Sequence, residues 1–130
     1  MKRNGVLNSH ISQVLSQLGH TDSIAIADCG LPIPRNVERI DLVLELGKPS
    51  FIDTLKVVLS DMKVEAAVIA EEMQDHNPAM YEEMRSIFGD SLQVVPHSEL
   101  KRKTTDSHAI IRTGEATPFA NIILYSGVIF

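Results

Sequence analysis

The sequence has little cysteine, no excess of basic charge and no long apolar run, and each absence excludes a class of protein. The single cysteine, Cys29, cannot form an intramolecular disulfide, which suits a reducing compartment. Twelve Lys and Arg against 17 Asp and Glu give a formal net charge of −5, so no basic surface for nucleic acid or anionic membrane is expected. No run approaches the roughly 20 apolar residues that span a bilayer, and no apolar segment follows the basic start as in a signal peptide. We therefore expect a cytoplasmic protein with no nucleic-acid or membrane partner.

Motifs that bind nucleotides, activate serine nucleophiles or hold zinc are also missing. The chain contains no GxGxxG, Walker, GxSxG or HExxH pattern. Its five histidines have no partners at metal-binding spacing, so no metal site is predicted. Cys29 could act as a nucleophile, but a single cysteine beside a buried strand more often serves as inert packing. No cofactor is expected.

The hydrophobic pattern predicts one α/β domain over residues 1–130. The composition is that of an ordinary globular protein, 44% hydrophobic and 22% charged. Helical spacing is predicted over 8–19, 49–62 and 77–89, with a short helix at 98–104. Strands are predicted over 23–27, 38–45, 64–72, 91–96, 108–112 and 121–130. Strands that alternate with helices indicate a single layered domain, in which helices flank a central sheet. No helix joins the first two strands, so we expect a mixed sheet.

Residues at helix ends add specific expectations. Asn8 and Asn77 are good N-caps for the first and third long helices. Gly19 stands where a helix ends in the left-handed conformation. Ser98 is the expected cap of the short helix. These positions predict where the loops between elements begin.

Three residues in loops or at strand ends are candidates for chemistry. His20 and His97 lie between elements, where functional groups are common, and histidine titrates near neutral pH. Asp28 directly follows the strand at 23–27, where it could bind a hydroxyl or cap a tight turn. A five-residue strand is roughly 17 Å long, at about 3.3 Å per residue. His20 and Asp28 could therefore share a site only if the flanking turns curl back or if different chains contribute.

Eight segments, in order along the whole chain, resemble the D-ribose pyranase family, which also contains the L-fucose mutarotases. The segments are LNSHIS, LGHTD, IADCGLPIP, RIDLVL, PSFIDTL, AEEM..HNP, IRTGEATPFANIIL and GVIF. The resemblance implies an isomerase that interconverts the pyranose and furanose forms of D-ribose through the open-chain aldehyde, without a cofactor. It also implies a homodecamer with active sites near subunit contacts.

The resemblance assigns a set of site residues. His20 matches the family's catalytic acid, and the residues that match its sugar-binding positions are Asp28, His97, Lys101, Phe119, Ala120 and Asn121. One position departs from the family pattern, because Phe119 stands where the family usually has Tyr. A hydroxyl is therefore missing, either from sugar binding or from a proton relay.

Two other functions remain open from the sequence. One is a mutarotase that interconverts the anomers of fucose or of another sugar. The other is a non-catalytic sugar-binding protein associated with ribose transport. The short chain and the segment PHSELK favour ribose, and His20 favours catalysis over binding alone.

Overall fold

Six β-strands form one mixed sheet with helices on both faces, as the sequence predicts. The computed structural model describes residues 1–130. The strands are β1 (Ser23–Ala27), β2 (Glu38–Asp41), β3 (Val64–Ala70), β4 (Leu92–Val95), β5 (Ala109–Arg112) and β6 (Ile122–Ser126). The helices are α1 (Ser9–Gln17), α2 (Phe51–Leu59), α3 (Glu72–His76), α4 (Pro78–Phe88) and α5 (His97–Lys103). None of these helices has the length and apolar character needed to cross a membrane.

The strand order in the sheet is β2-β5-β1-β6-β3-β4. Strands β2, β5 and β1 pair in parallel, as do β3 and β4, whereas β6 runs antiparallel to both of its neighbours. The sheet is therefore mixed because of β6 and not because of the connection from β1 to β2. The carboxyl ends of β1 to β5 consequently all meet at one edge, where β6 begins.

Side chains alternate between two apolar layers along the buried strands, as the pleat requires. In β1, Ile24 and Ile26 pack in the larger layer with α1, α2 and α4, whereas Ala25 and Ala27 pack on the opposite face. The smaller layer contains Leu100 of α5 and residues of the loop that follows β1. Both faces of the sheet are thus covered by apolar side chains of helices and loops.

Of the four predicted helix ends, one is confirmed and three differ. Asn8 caps α1 by accepting from the Ile11 amide at 2.9 Å, as predicted. Gly19 is not in the left-handed region; Thr21, two residues later, has that conformation with φ of 70°. Pro96, and not Ser98, precedes the first turn of α5. Asn77 stands at the cap position of α4, but its side chain makes no capping bond.

Three strands end earlier than the sequence predicts. Strand β6 ends at Ser126, although the apolar pattern predicts a strand to residue 130, because its partners β1 and β3 begin opposite Tyr125 and Ser126. Strand β2 ends at Asp41, because the chain then turns into a short bridge between Glu45 and Lys48, whereas the apolar pattern predicted a strand to residue 45. The predicted third strand extends to 72, but the structure ends β3 at Ala70 and begins the short helix α3.

The bridge between Glu45 and Lys48 packs tightly against Gly114, whose hypothetical Cβ would lie 2.4 Å from the Lys48 nitrogen. Only glycine fits at that position.

Candidate active site

The edge at which β1 to β5 end carries a group of polar residues. Asp28 follows β1, Glu72 follows β3, and His97 follows β4. Asn121 immediately precedes β6, which begins at this edge because it runs in the opposite direction. Ligands of open α/β sheets bind outside the carboxyl ends of the strands. The topology therefore indicates a binding site at this edge of the sheet.

A cavity of about 300 Å³ lies at this edge. This volume is at the lower end of the range for small-molecule sites. Its lining residues are Asp28, Gly30, Leu31, Pro32, His97, Lys101, Pro118 and Phe119. One carboxylate, one imidazole and one ammonium group thus meet beside an aromatic ring. Such a combination suits a small polyhydroxylated ligand, since hydroxyls both donate and accept hydrogen bonds.

The Asp28 carboxylate is held by hydrogen bonds on both oxygens. The Asn121 side-chain amide donates to Asp28 Oδ2 at 2.9 Å, and the Gly30 amide donates to Oδ1 at 2.9 Å. Asn121 Oδ1 in turn accepts from the Asp28 backbone amide at 2.9 Å. Asn121 is only 1% exposed and does not line the cavity. It therefore positions Asp28 from behind.

His97 and Phe119 form a wall of the cavity. Their rings meet edge to face, with centroids 5.0 Å apart and planes at 83°. Nδ1 of His97 is buried and has no hydrogen-bond partner, which is rare for buried polar atoms and calls for a functional or structural reason. Phe119 has φ of 57°, an uncommon value for a residue other than glycine. Such backbone conformations concentrate at functional sites.

Helix α3 and the residue after it hold both parts of this wall, His97 and the segment before Phe119. The Glu72 carboxylate accepts from the His97 amide at 2.9 and 3.1 Å. At the other end of α3, Asn77 Nδ2 donates to Thr117 Oγ1 and to the Pro118 carbonyl, each at 2.9 Å. The His76 ring also packs on Phe119 at 5.4 Å between centroids. Both His97 and the segment before Phe119 are therefore fixed to the same short helix.

His20 lies away from this cavity, at the opposite end of β1. It lines a separate cavity of about 310 Å³ beside the C-terminal residues 126–130. Its Nε2 is 2.9 Å from Glu65 Oε2, and the side chain is 52% exposed. Within one chain the turns flanking β1 thus leave His20 and Asp28 in different cavities. If the two residues share a site, as the resemblance implies, different chains must contribute them.

The structure places the other predicted residues in two groups. Asp28, His97, Lys101 and Phe119 line one cavity, whereas Ala120 is fully buried beneath it with Asn121. Cys29 uses only backbone groups: its amide donates to Glu115 and its carbonyl accepts from Arg112. Cys29 thus stays without an assigned role.

An ion pair on α5 lies outside the cavity. A hydrogen bond from Arg102 lowers the pKa of the Glu99 carboxyl, and the same bond raises the pKa of Arg102. Neither residue lines the cavity. Lys101 is therefore the residue of α5 that brings positive charge to it.

Comparison with known proteins identifies the family. A model of the RbsD / FucU transport protein family matches residues 1–129. The chain belongs to this family. Among curated RbsD / FucU relatives, "D-ribose pyranase" proteins from Laribacter hongkongensis and Bacillus cytotoxicus are each 56% identical over 131 residues, with both chains fully covered.

Solved structures of RbsD / FucU proteins agree with the fold. Bacillus subtilis RbsD, solved in complex with D-ribose, superposes with a TM-score of 0.97 at 45% identity over 100% of both chains. The fucose mutarotase from Streptococcus pneumoniae, solved with L-fucose, has a TM-score of 0.76 at 22% identity over 95% of each chain. The second match shows the shared fold alone.

Three contacts of this RbsD / FucU chain were not found from sequence: those of Glu65, Glu72 and Asn77. Glu65 and Glu72 lie in a segment that reads as one continuous strand, which gives no sign that their carboxylates reach histidines. The signal for Asn77 was present, because Asn before Pro marks a helix start, but its side chain bonds across 40 residues to Thr117 instead. Bonds over such separations are not encoded in local patterns.

Proposed function

We propose that this protein is a D-ribose pyranase, an enzyme that interconverts the pyranose and furanose forms of D-ribose. The observation that carries the proposal is the cavity formed by Asp28, His97 and Lys101 in a chain 56% identical to a curated D-ribose pyranase along its full length. The 45%-identical RbsD bound to D-ribose supports the same sugar. The single cysteine suits a place in the cytoplasm, where the enzyme would serve ribose catabolism.

The chemistry requires two proton transfers in each direction. Ring opening moves the proton of the anomeric hydroxyl to the ring oxygen while the bond from C1 to the ring oxygen breaks and an aldehyde forms. Closure by the C4 hydroxyl forms a bond from C1 to O4, while the proton of that hydroxyl moves to the aldehyde oxygen. An imidazole can do both, since general acid–base groups work best with a pKa near the operating pH. We assign this role to His20.

Binding is assigned to the cavity at the other end of β1. Asp28 accepts from sugar hydroxyls, while His97 and Lys101 can donate to sugar oxygens and Phe119 packs against the carbon face. Asn121 and Ala120 support this surface from the core. No step needs a metal or a nucleotide, because both reactions only move protons and rearrange one ring.

The direct test is NMR saturation transfer between the ring forms of D-ribose, with and without the protein. A pyranase should accelerate transfer between pyranose and furanose signals in proportion to protein concentration. Acceleration between α and β anomers of fucose, with none between ribose ring forms, would identify a mutarotase instead. Binding without any acceleration would identify a non-catalytic sugar-binding protein. Either result would contradict the proposal.

We further propose that the active protein is a homo-oligomer, a decamer as the family resemblance implies. The support is that His20 and Asp28 line different cavities of one chain, so a complete site needs His20 from a neighbour. Multi-angle light scattering is expected to give a multi-subunit particle near ten times 14.4 kDa. A fully active monomer at micromolar concentration would contradict both the assembly and the shared site.

Phe119 provides a test of the sugar-binding surface. If the missing hydroxyl only binds sugar, Phe119→Tyr should strengthen ribose binding by about 0.5–1.5 kcal/mol, the net value of one hydrogen bond. If the hydroxyl relays protons, the substitution should raise the maximal exchange rate more than the affinity. Measuring saturation and maximal rate together separates the two. No change in either would show that residue 119 does not face the sugar.

A further inference from the structure

The His20 imidazole contacts a carboxylate that was not predicted from the sequence. Glu65, the second residue of β3, has its Oε2 atom 2.9 Å from Nε2 of His20. The two residues are 45 positions apart, so the contact depends on the pairing of both β1 and β3 with β6. Their side chains are 52% and 41% exposed, which leaves the other face of the imidazole accessible.

The turn that carries His20 is fixed by its own bonds and has an unusual backbone. The Asp22 carboxylate accepts from the Gly19 amide at 2.7 Å, and the Thr21 amide donates to the Ser126 carbonyl at 2.9 Å. Thr21 has φ of 70°, which is a genuine outlier for a β-branched residue. Strained backbone of this kind persists only where its surroundings hold it in place, and it concentrates at functional sites. The turn and Glu65 together fix the direction of the ring.

We propose that Glu65 is a positioning residue that selects the tautomer of His20 and makes Nδ1 the nitrogen that transfers protons. This inference rests on the proposed function of His20. A carboxylate is an acceptor only, so neutral His20 must carry its proton on Nε2 in order to donate to Glu65. The lone pair is then on Nδ1, which is the atom free to face a sugar.

The order of proton transfers at His20 follows from this assignment. Nδ1 takes the proton of the anomeric hydroxyl while Nε2 keeps its own, so the ring becomes an imidazolium next to the Glu65 carboxylate. Nδ1 then gives the proton to the ring oxygen as the bond from C1 breaks, and His20 returns to its neutral form. The negative charge of Glu65 stabilises the imidazolium in between, as carboxylates do for acid–base histidines in general. Glu65 itself neither gains nor loses a proton.

If the pair only stabilised the fold, removing the charge of Glu65 would lower the melting temperature. Exposed ion pairs contribute little to folding stability, so we expect the melting temperature to stay unchanged. The chain also contains a matched pair for comparison. His10 Nε2 lies 2.6 Å from Glu38 Oε1, with both side chains about as exposed as those of His20 and Glu65. Glu38→Gln is therefore the control for Glu65→Gln.

The test compares ribose exchange in the two variants by NMR saturation transfer. Glu65→Gln should lower the maximal exchange rate by about 10–100-fold, the range found when groups that orient metal-bound histidines are removed. Its ribose affinity and melting temperature should stay unchanged, and Glu38→Gln should behave as the parent protein. Equal maximal rates for the parent and Glu65→Gln would overturn the proposal.

A second measurement does not depend on activity. Long-range ¹⁵N–¹H spectra of histidine-labelled protein, assigned with His20→Gln, should show neutral His20 with its proton on Nε2. A proton on Nδ1 in the parent protein would overturn the proposal. Failure of the proposed function has a different signature: His20→Ala would then keep full exchange, whatever the tautomer. Loss in His20→Ala with none in Glu65→Gln would contradict Glu65 alone.

Discussion

Replacing His20 by alanine is expected to slow ribose ring exchange by about 100-fold or more, since general acid–base catalysis contributes about 10²–10⁴-fold. The fold should survive, because the side chain is half exposed and lies outside the apolar core. Saturation transfer at saturating ribose measures the loss, and circular dichroism checks the fold.

His10 supplies the control for this experiment. It is also an exposed histidine paired with a glutamate, but it lies in the first turn of α1. His10→Ala should keep the parent exchange rate within about twofold, because acid–base catalysis acts only through groups in reach of the substrate. Near-parent exchange in a folded His20→Ala protein would exclude His20 as the acid–base group.

Replacing Asn121 by aspartate is expected to cost both stability and ribose binding. Asn121 is buried, and its amide donates to Asp28 Oδ2 at 2.9 Å, so a carboxylate there would face a second carboxylate. An uncompensated buried charge costs about 3–5 kcal/mol. Thermal and urea unfolding measure this loss, which should shrink as the pH falls, because protonation of either carboxyl removes the repulsion. Ribose titration should show weaker binding, since Asp28 loses its fixed orientation.

The matched control for that substitution is Asn8→Asp. Asn8 is exposed and caps α1 through its side-chain oxygen, and aspartate caps helices as well as asparagine does. Its melting temperature and ribose affinity should therefore be unchanged. A similarly small effect of Asn121→Asp would mean that Asn121 and Asp28 are not in contact in solution.

Local signals in the sequence were sufficient for most of the fold. The apolar run at 23–27 became β1, and Asn8 caps α1 because its side chain reaches an amide three residues away. Several of the predictions that failed were overridden by long-range contacts. Ser98 is not the cap of α5, because the Glu72 carboxylate, 25 residues earlier, accepts from the first amide of that helix.

The candidate site could be predicted only in part, for the same reason. The resemblance predicted a set of sugar-binding residues, and four of them, Asp28, His97, Lys101 and Phe119, line one cavity. The carboxylates that fix the two histidines were not predictable, since Glu65 and Glu72 meet their partners only through the sheet and the chain's return at β4. Spacing along one strand predicted that His20 and Asp28 share a site only if the turns curl back or different chains contribute, but it did not predict which end of β1 carries the cavity with Lys101.

Helix α3 also has a consequence for the shape of the cavity. Glu72 at its start holds His97, and Asn77 just after its end holds the segment before Phe119. A helix rises about 1.5 Å per residue and turns once in 3.6 residues, so the five residues of α3 set both the separation and the relative direction of these two attachments. The wall that His97 and Phe119 form is thus held from outside the cavity, since neither Glu72 nor Asn77 lines it. A substitution at either end of α3 would therefore change the contact between the two rings without touching the cavity itself.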